Sequence, residues 1–195
     1  TKIVDSNKPN KIILLAPSWG SNGLIETRNA EPIIEKLLES DYELILRPHP
    51  QTVKNFNKLL NELCYKYNAN SNFSIDLDPE SMYSILKSDV LITDWSGISM
   101  EFAFGLFKPT IFVDINKKIN NEDFNAIPLD PIEVSIRNKI GVICNCDCLA
   151  IEQSVARLNT INKKSFEKIA TKYVYANDTK NNKLLTYISD ILEEN

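Results

Sequence analysis

At 195 residues, 43% of them apolar, the chain is long enough for one well-packed domain and short for two. Its 22 basic and 26 acidic side chains give a formal charge of −4, without the basic excess of a dedicated nucleic-acid binder, although a local phosphate pocket remains open to it. No stretch reaches the roughly 18 consecutive apolar residues from which a membrane-crossing helix is read.

The opening TKIVDSNKPN is a polar lead-in with no signal-peptide core and no initiator Met, which reads as a fragment or a processed chain. KIILLAP (11–17) is a continuous apolar run ending in Pro, the pattern of a strand buried on both faces. After the loop SWGSNG, Ile33, Ile34, Leu37 and Leu38 recur at helical spacing. ELILRPHP (43–50) reads as a second strand stopped by proline, and Phe56, Leu59, Leu60, Leu63 and Tyr67 as a second helix. A short strand at 73–76 and a short helix at 81–88 follow. DVLITD then reads as a strand, ISMEFAFG as a helix and PTIFVD (109–114) as a strand. Residues 115–139 read as one long irregular segment, GVICN (141–145) as a sixth strand, and 147–159, 163–175 and 180–193 as helices.

Near-continuously apolar strands alternating with helices predict an α/β fold: a doubly wound, Rossmann-like, mostly parallel sheet in a single domain over 1–195. Such sheets bind ligands beyond the carboxyl ends of their strands. The segments that leave those ends, SWGSNG, RPHP, DLDPES, TDWSG and DINKKINN, are therefore expected to converge on one cleft.

Within TDWSG, Ser96 can cap the following helix and Gly97 can leave room for a ligand at the backbone. The junction reads equally as an anion site at a helix N-terminus or as a plain cap and turn. Glu101 is either a partner for ribose hydroxyls or an acid that complements the helix dipole. His49, the only histidine, sits between two prolines just past a strand end, where proton transfer or phosphate contact would suit it. Arg47, on the same side of an extended segment, offers paired donors to phosphate. Lys117, Lys118 and Arg137 are read as phosphate partners or as solvated loop charges. CNCDC lacks the paired spacing of a zinc site, and no P-loop or Gly-x-Gly-x-x-Gly motif is present. Cysteine usage suggests a reducing cytosol. The basic side of the helix near 163–175 reads as a solvated face, with a weak membrane-surface contact as the other reading.

APSW (16–19), RPHP (47–50), SDVLITDWSG (88–97), EFAF (101–104) and KPTIFVD (108–114), in this order, resemble the C-terminal half of the CDP-glycerol glycerophosphotransferases, which build teichoic acid and related capsule polymers. The closing YANDTKNNKLLTYI is also similar. The resemblance implies one lobe of a GT-B architecture that binds a CDP-activated polyol phosphate as substrate, with no metal and no separate cofactor. An acceptor hydroxyl attacks the distal phosphorus and CMP leaves. It makes His49 the catalytic or donor-phosphate residue, places the diphosphate at Ser96 and Gly97, and maps the following acid to Glu101. Together with the junction reading, the expected donor-binding set is Ser18, Trp19, Arg47, Asp94, Ser96, Gly97, Glu101, Lys117 and Arg137.

Three departures stand out. The family's Thr-Trp-Arg is Ser18-Trp19-Gly20, its Ser-Ser is Ser96-Gly97, and its Trp-His-Gly motif, with a second histidine proposed as base, has no counterpart. The expectation is therefore a donor-binding lobe with little turnover of its own. It would be completed by an N-terminal lobe or partner subunit, act on a polymer or glycan acceptor without nucleic acid, and work in the cytoplasm or at the inner face of the membrane. The alternatives are a GT-B nucleotide-sugar transferase or UDP-sugar epimerase, and a non-catalytic nucleotide-binding subunit of a split enzyme. A response-regulator-like domain would need acids at the end of the first strand, where Ala16-Pro17-Ser18 stands.

Overall fold

The computed structural model describes residues 11–116, 123, 126, 128, 131–158 and 163–173. Its strands β1 (Ile12–Leu15), β2 (Glu43–Leu46), β3 (Phe73–Ile75), β4 (Val90–Thr93), β5 (Thr110–Asp114) and β6 (Gly141–Asn145) form one sheet in the order β3-β2-β1-β4-β5-β6. Every pairing is parallel. The helices are α1 (Ala30–Glu39), α2 (Pro50–Asn55), α3 (Asn57–Tyr67), α4 (Tyr83–Lys87), α5 (Ile98–Leu106), α6 (Ile132–Ser135), α7 (Arg137–Ile140), α8 (Cys148–Arg157) and α9 (Lys163–Tyr173).

The apolar runs are continuous because both sheet faces are covered. Successive strand residues point to opposite sides. Ile13 and Leu15 join a core with Ile33, Leu63 and Val155 of α1, α3 and α8. Leu14 and Ala16 face a second cluster with Ile85 and Phe102 of α4 and α5. Phe112 packs with Ile140 of α7 and Phe166 of α9. This is the expected doubly wound sheet: successive strands are added to one side as far as β3 and to the other from β4, so the strand order reverses between β1 and β4.

Three local expectations change. RPHP does not end in a loop, because Pro50 opens the short helix α2 with His49 as its N-cap. A proline suits that first position, since its missing N–H would have no helical partner there. The segment expected to be irregular to 139 contains α6 and the start of α7. Helix α5 runs past Gly105 to Leu106 and ends on Phe107 in the left-handed region, φ 54°. Lys117, the lead-in 1–10, the helix expected over 180–193 and the closing motif lie outside the described residues.

Candidate functional site

The reversal between β1 and β4 opens a crevice at the carboxyl edge, and a buried acid fixes its floor. Asp94, directly after β4, is 1% exposed. Its Oδ1 accepts the N–H of Trp95 at 2.6 Å and of Ser18, on the β1–α1 loop, at 2.7 Å. Thr93 Oγ1 donates to the carbonyl of Ala16 at 2.6 Å. The two loops that diverge at the switch point are thus clamped together. Ser18 and Asp94 act as parts of this clamp.

Helix α5 starts above the clamp. Its N-cap is Gly97 and not Ser96, and no side chain caps it. The expected Ser96 cap is corrected because the Gly97 backbone is already helical, φ −62° and ψ −22°. The Ser96 carbonyl instead receives the Ser99 hydroxyl at 3.0 Å. Among the described residues, no acceptor meets the N–H groups of Ser96, Gly97 and Ile98. Gly97 is exposed, and a Cβ built there would meet nothing within 4 Å. Its value is open access to the backbone. Unpaired N–H groups and the positive end of the helix dipole are the features by which such a junction can receive an anion.

His49 faces the same cleft. Its Nδ1 accepts the Gln51 N–H at 3.1 Å. With Nδ1 occupied as an acceptor, the neutral ring carries its proton on Nε2 and presents a donor there. The Trp19 ring stacks on the imidazole, with centroids 5.9 Å apart and planes at 28°. His49, Ser96, Ile98 and Glu101 line one cavity of about 200 Å³, walled by Pro48, Pro79, Met82 and Ile85. A second, apolar-lined cavity of about 300 Å³ adjoins it through Arg47, Pro48, Pro50 and Pro79.

The two arginines expected at the cleft are placed differently: Arg47 is held by a hydrogen-bonded network, and Arg137 is buried against aromatic rings. Register pairs Leu46 with Ile75, which places Arg47 beside Asp76. The Arg47 guanidinium donates to Asp76, to the Ser81 carbonyl at 2.9 Å, to Ser84 Oγ at 3.2 Å and to the Pro79 carbonyl at 3.0 Å. Ser84 also donates to Asp76. Burial pushes the Asp76 carboxyl up, but the Ser84 hydroxyl, the Asp78 N–H and the Arg47 charge outweigh it and hold its pKa below the usual range. Arg47 therefore braces the pocket wall. Arg137 is not a solvated loop charge. It is 3% exposed, with its guanidinium carbon 3.9 Å from the Trp95 ring centre and 4.9 Å from that of Phe112. Burial lowers its pKa, against the opposing pull of Asp114 and Asp94.

Sequence reading missed the Asp76–Ser84 brace and a second tie between Glu26 and Thr52, 2.6 Å long, which joins the β1–α1 loop to α2. The signal for the first was present: an Arg and an Asp immediately following neighbouring strands. All four cysteines are free, and among the described residues no group of three His, Cys, Asp or Glu is placed to hold a metal.

The six-stranded parallel sheet with helices on both faces is a fold of the GT-B glycosyltransferase and epimerase kind. It aligns with a protein described as a UDP-N-acetylglucosamine 2-epimerase from Listeria monocytogenes at TM-score 0.62 and 16% identity, covering 95% of this chain and 46% of that one. It also aligns with the UDP-GlcNAc 2-epimerase of Methanocaldococcus jannaschii at TM-score 0.53 and 18% identity, covering 86% and 46%. At these identities the likeness shows the fold. Residues 2–123 match the CDP-Glycerol:Poly(glycerophosphate) glycerophosphotransferase family, and the chain belongs to that family. It is 39% identical over 113 residues to the teichoic acid poly(glycerol phosphate) polymerase of Bacillus spizizenii, covering 54% of this chain and 27% of the relative. It is 30% identical over 126 residues to the teichoic acid poly(ribitol-phosphate) polymerase of the same organism, covering 60% and 19%. The chain thus spans about a quarter or less of the relatives' length. No helix among the described residues is long and apolar enough to cross a membrane.

Proposed function

We propose that this chain is the donor-binding lobe of a transferase that moves a polyol phosphate from a CDP-activated donor to a growing cell-surface polymer. The observation that carries the reading is the shared cavity: unpaired N–H groups open α5 where His49, Ser96 and Glu101 meet. The diphosphate would lie on the Ser96–Ile98 N–H groups, the ribose hydroxyls on Glu101, and the base against Pro48, Pro79 and Met82. The names of the curated relatives support a polyol-phosphate polymer as product.

In this reading an acceptor hydroxyl attacks the distal phosphorus, the bond to the CMP oxygen breaks, and CMP leaves. His49 Nε2–H would donate to a phosphate oxygen, stabilising charge as it develops. The hydroxyl's proton would go to a base on an N-terminal lobe or partner subunit, which would also place the acceptor. The chain alone would then bind donor with little turnover, because positioning and proton transfer are each worth orders of magnitude in rate. The lobe would work in the cytoplasm or at the inner membrane face, and would need neither a metal nor a separate cofactor.

Calorimetry with CDP-glycerol, CDP, CMP, UDP and UDP-N-acetylglucosamine tests the assignment. Cytidine compounds should bind tightest, and Ser96→Trp, which fills the cavity, should abolish their binding while the fold survives. Preference for uridine compounds would instead make this a nucleotide-sugar enzyme.

A further inference from the structure

The least satisfied charge in the described structure is Arg137. It has one long ion pair, Nη1 to Asp114 Oδ1 at 3.4 Å, to a carboxylate whose side chain is half exposed. Its Nε and Nη2 are buried with no hydrogen-bond partner among the described residues. A desolvated charge with unmade hydrogen bonds opposes folding unless something else needs it. The Trp95 ring packs on Arg137, and the residue before it, Asp94, has an Oδ2 that is also buried without a partner among the described residues; the Asp94 charge acts on Arg137. Asp94 precedes the Ser96–Gly97 junction by two residues and accepts the N–H of Trp95 between them, so its carboxylate would oppose an anionic ligand there.

We propose that the buried guanidinium of Arg137 offsets the Asp94 carboxylate and so keeps the Ser96–Gly97 junction attractive to a diphosphate. Arg137 touches no ligand in this assignment. It acts through Trp95, whose ring lies over it and whose backbone N–H holds Asp94. The arrangement reconciles two requirements. The clamp needs a carboxylate that accepts from both Ser18 and Trp95, and the junction needs a local potential that is not negative. Arg47 cannot supply that potential, because Asp76 already neutralises it. The field of a buried charge is weakly screened, so Arg137 can act from behind the binding surface without being exposed to water.

The inference rests on the junction being an anion site, and the test separates it from the identity of the donor. Affinities of the full 195-residue chain for cytidine, CMP, CDP and UDP would be measured for wild type, Arg137→Met and the double variant Arg137→Met/Asp94→Asn. Arg137→Met should weaken CDP and UDP by about tenfold, CMP less and uncharged cytidine hardly at all, because only charged ligands feel the lost field. The double variant should regain most of the loss. Equal weakening of cytidine and CDP would make Arg137 a packing residue and overturn the proposal, as would an unchanged CDP affinity or no rescue by Asp94→Asn. If Arg137→Met does not fold, Asp114→Asn decides. Removing that exposed counter-charge should tighten CDP and UDP, and a weaker or unchanged affinity overturns the proposal. Stronger UDP than CDP binding would defeat the CDP-donor reading while leaving the charge dependence to be read as before. Binding of no diphosphate by wild type would defeat both.

Discussion

The two sides of the cleft treat charge withdrawn from water in opposite ways. On the β2–β3 side both terminal nitrogens of Arg47 are taken: Asp76, two carbonyls and the Ser84 hydroxyl surround them, and Asp76 in turn is held by Ser84 and the Asp78 N–H. On the β4–β5 side Arg137 and Asp94 are both buried, yet three of their polar atoms have no partner among the described residues. A saturated network is a scaffold, since its geometry is complete without a ligand. An unsaturated one has residual field to act on something else. Charge type alone would have given both arginines the same role.

The largest expected effect comes from breaking the saturated side. Arg47→Met would strand Asp76 with only neutral donors; the two side chains stay 12% and 14% exposed, so the loss should fall below the cost of about 3–5 kcal/mol for a fully buried pair. Urea unfolding should show a lower midpoint at an unchanged slope. If the variant keeps its stability and loses nucleotide affinity instead, Arg47 is a ligand contact and the contrast between the two sides collapses.

A smaller effect lies in acid. Asp76 has a depressed pKa in the folded chain. The stability it confers is therefore complete above its unfolded value near 4 and is lost as pH falls through its lower folded value. Stability measured downward from about pH 5 should decline in wild type, and the decline should be shallower by about one proton in Asp76→Asn. An identical acid limb in the two proteins would show that Asp76 is not held ionised by this brace.

Much of the architecture was legible because buried parallel strands write themselves as unbroken apolar runs, such as Ile12–Leu15 and Val90–Ile92; the edge strand β3, Phe73-Ser74-Ile75, is the exception, with Ser74 exposed. The site was legible to the level of which loops converge, because the switch-point rule acts on topology. Side-chain commitments were not. Whether Arg47 faces ligand or Asp76 depends on the register Leu46 to Ile75, a contact between residues 29 apart that no local pattern reveals. Arg137 looked like a loop charge because the short helices α6 and α7 carry too few residues to show a period. Ser96 looked like a cap because cap residues are recognised by type, whereas the cap position is set by where the backbone first turns helical, which here is Gly97.

The smallest expected effect sharpens the contrast at His49, which sits on the saturated side. Two features hold its ring: the Gln51 N–H fixes the tautomer, and the Trp19 ring fixes the plane. These are separable. A stacked aromatic pair contributes about 0.5–1.5 kcal/mol beyond area burial, so Trp19→Leu should lower stability by no more than that order. Because the chain has one histidine, its imidazole nitrogens can be read by NMR without assignment ambiguity. The neutral ring should carry its proton on Nε2 in wild type without any ligand, and should still do so in Trp19→Leu, since the backbone donor at Gln51 remains. Donor affinity should fall modestly as the ring loses its wall. A switch to the Nδ1–H tautomer in either protein would mean that the Gln51 contact does not govern the ring, and that His49 presents an acceptor to the cleft. It would then be suited to removing a proton rather than to steadying a phosphate.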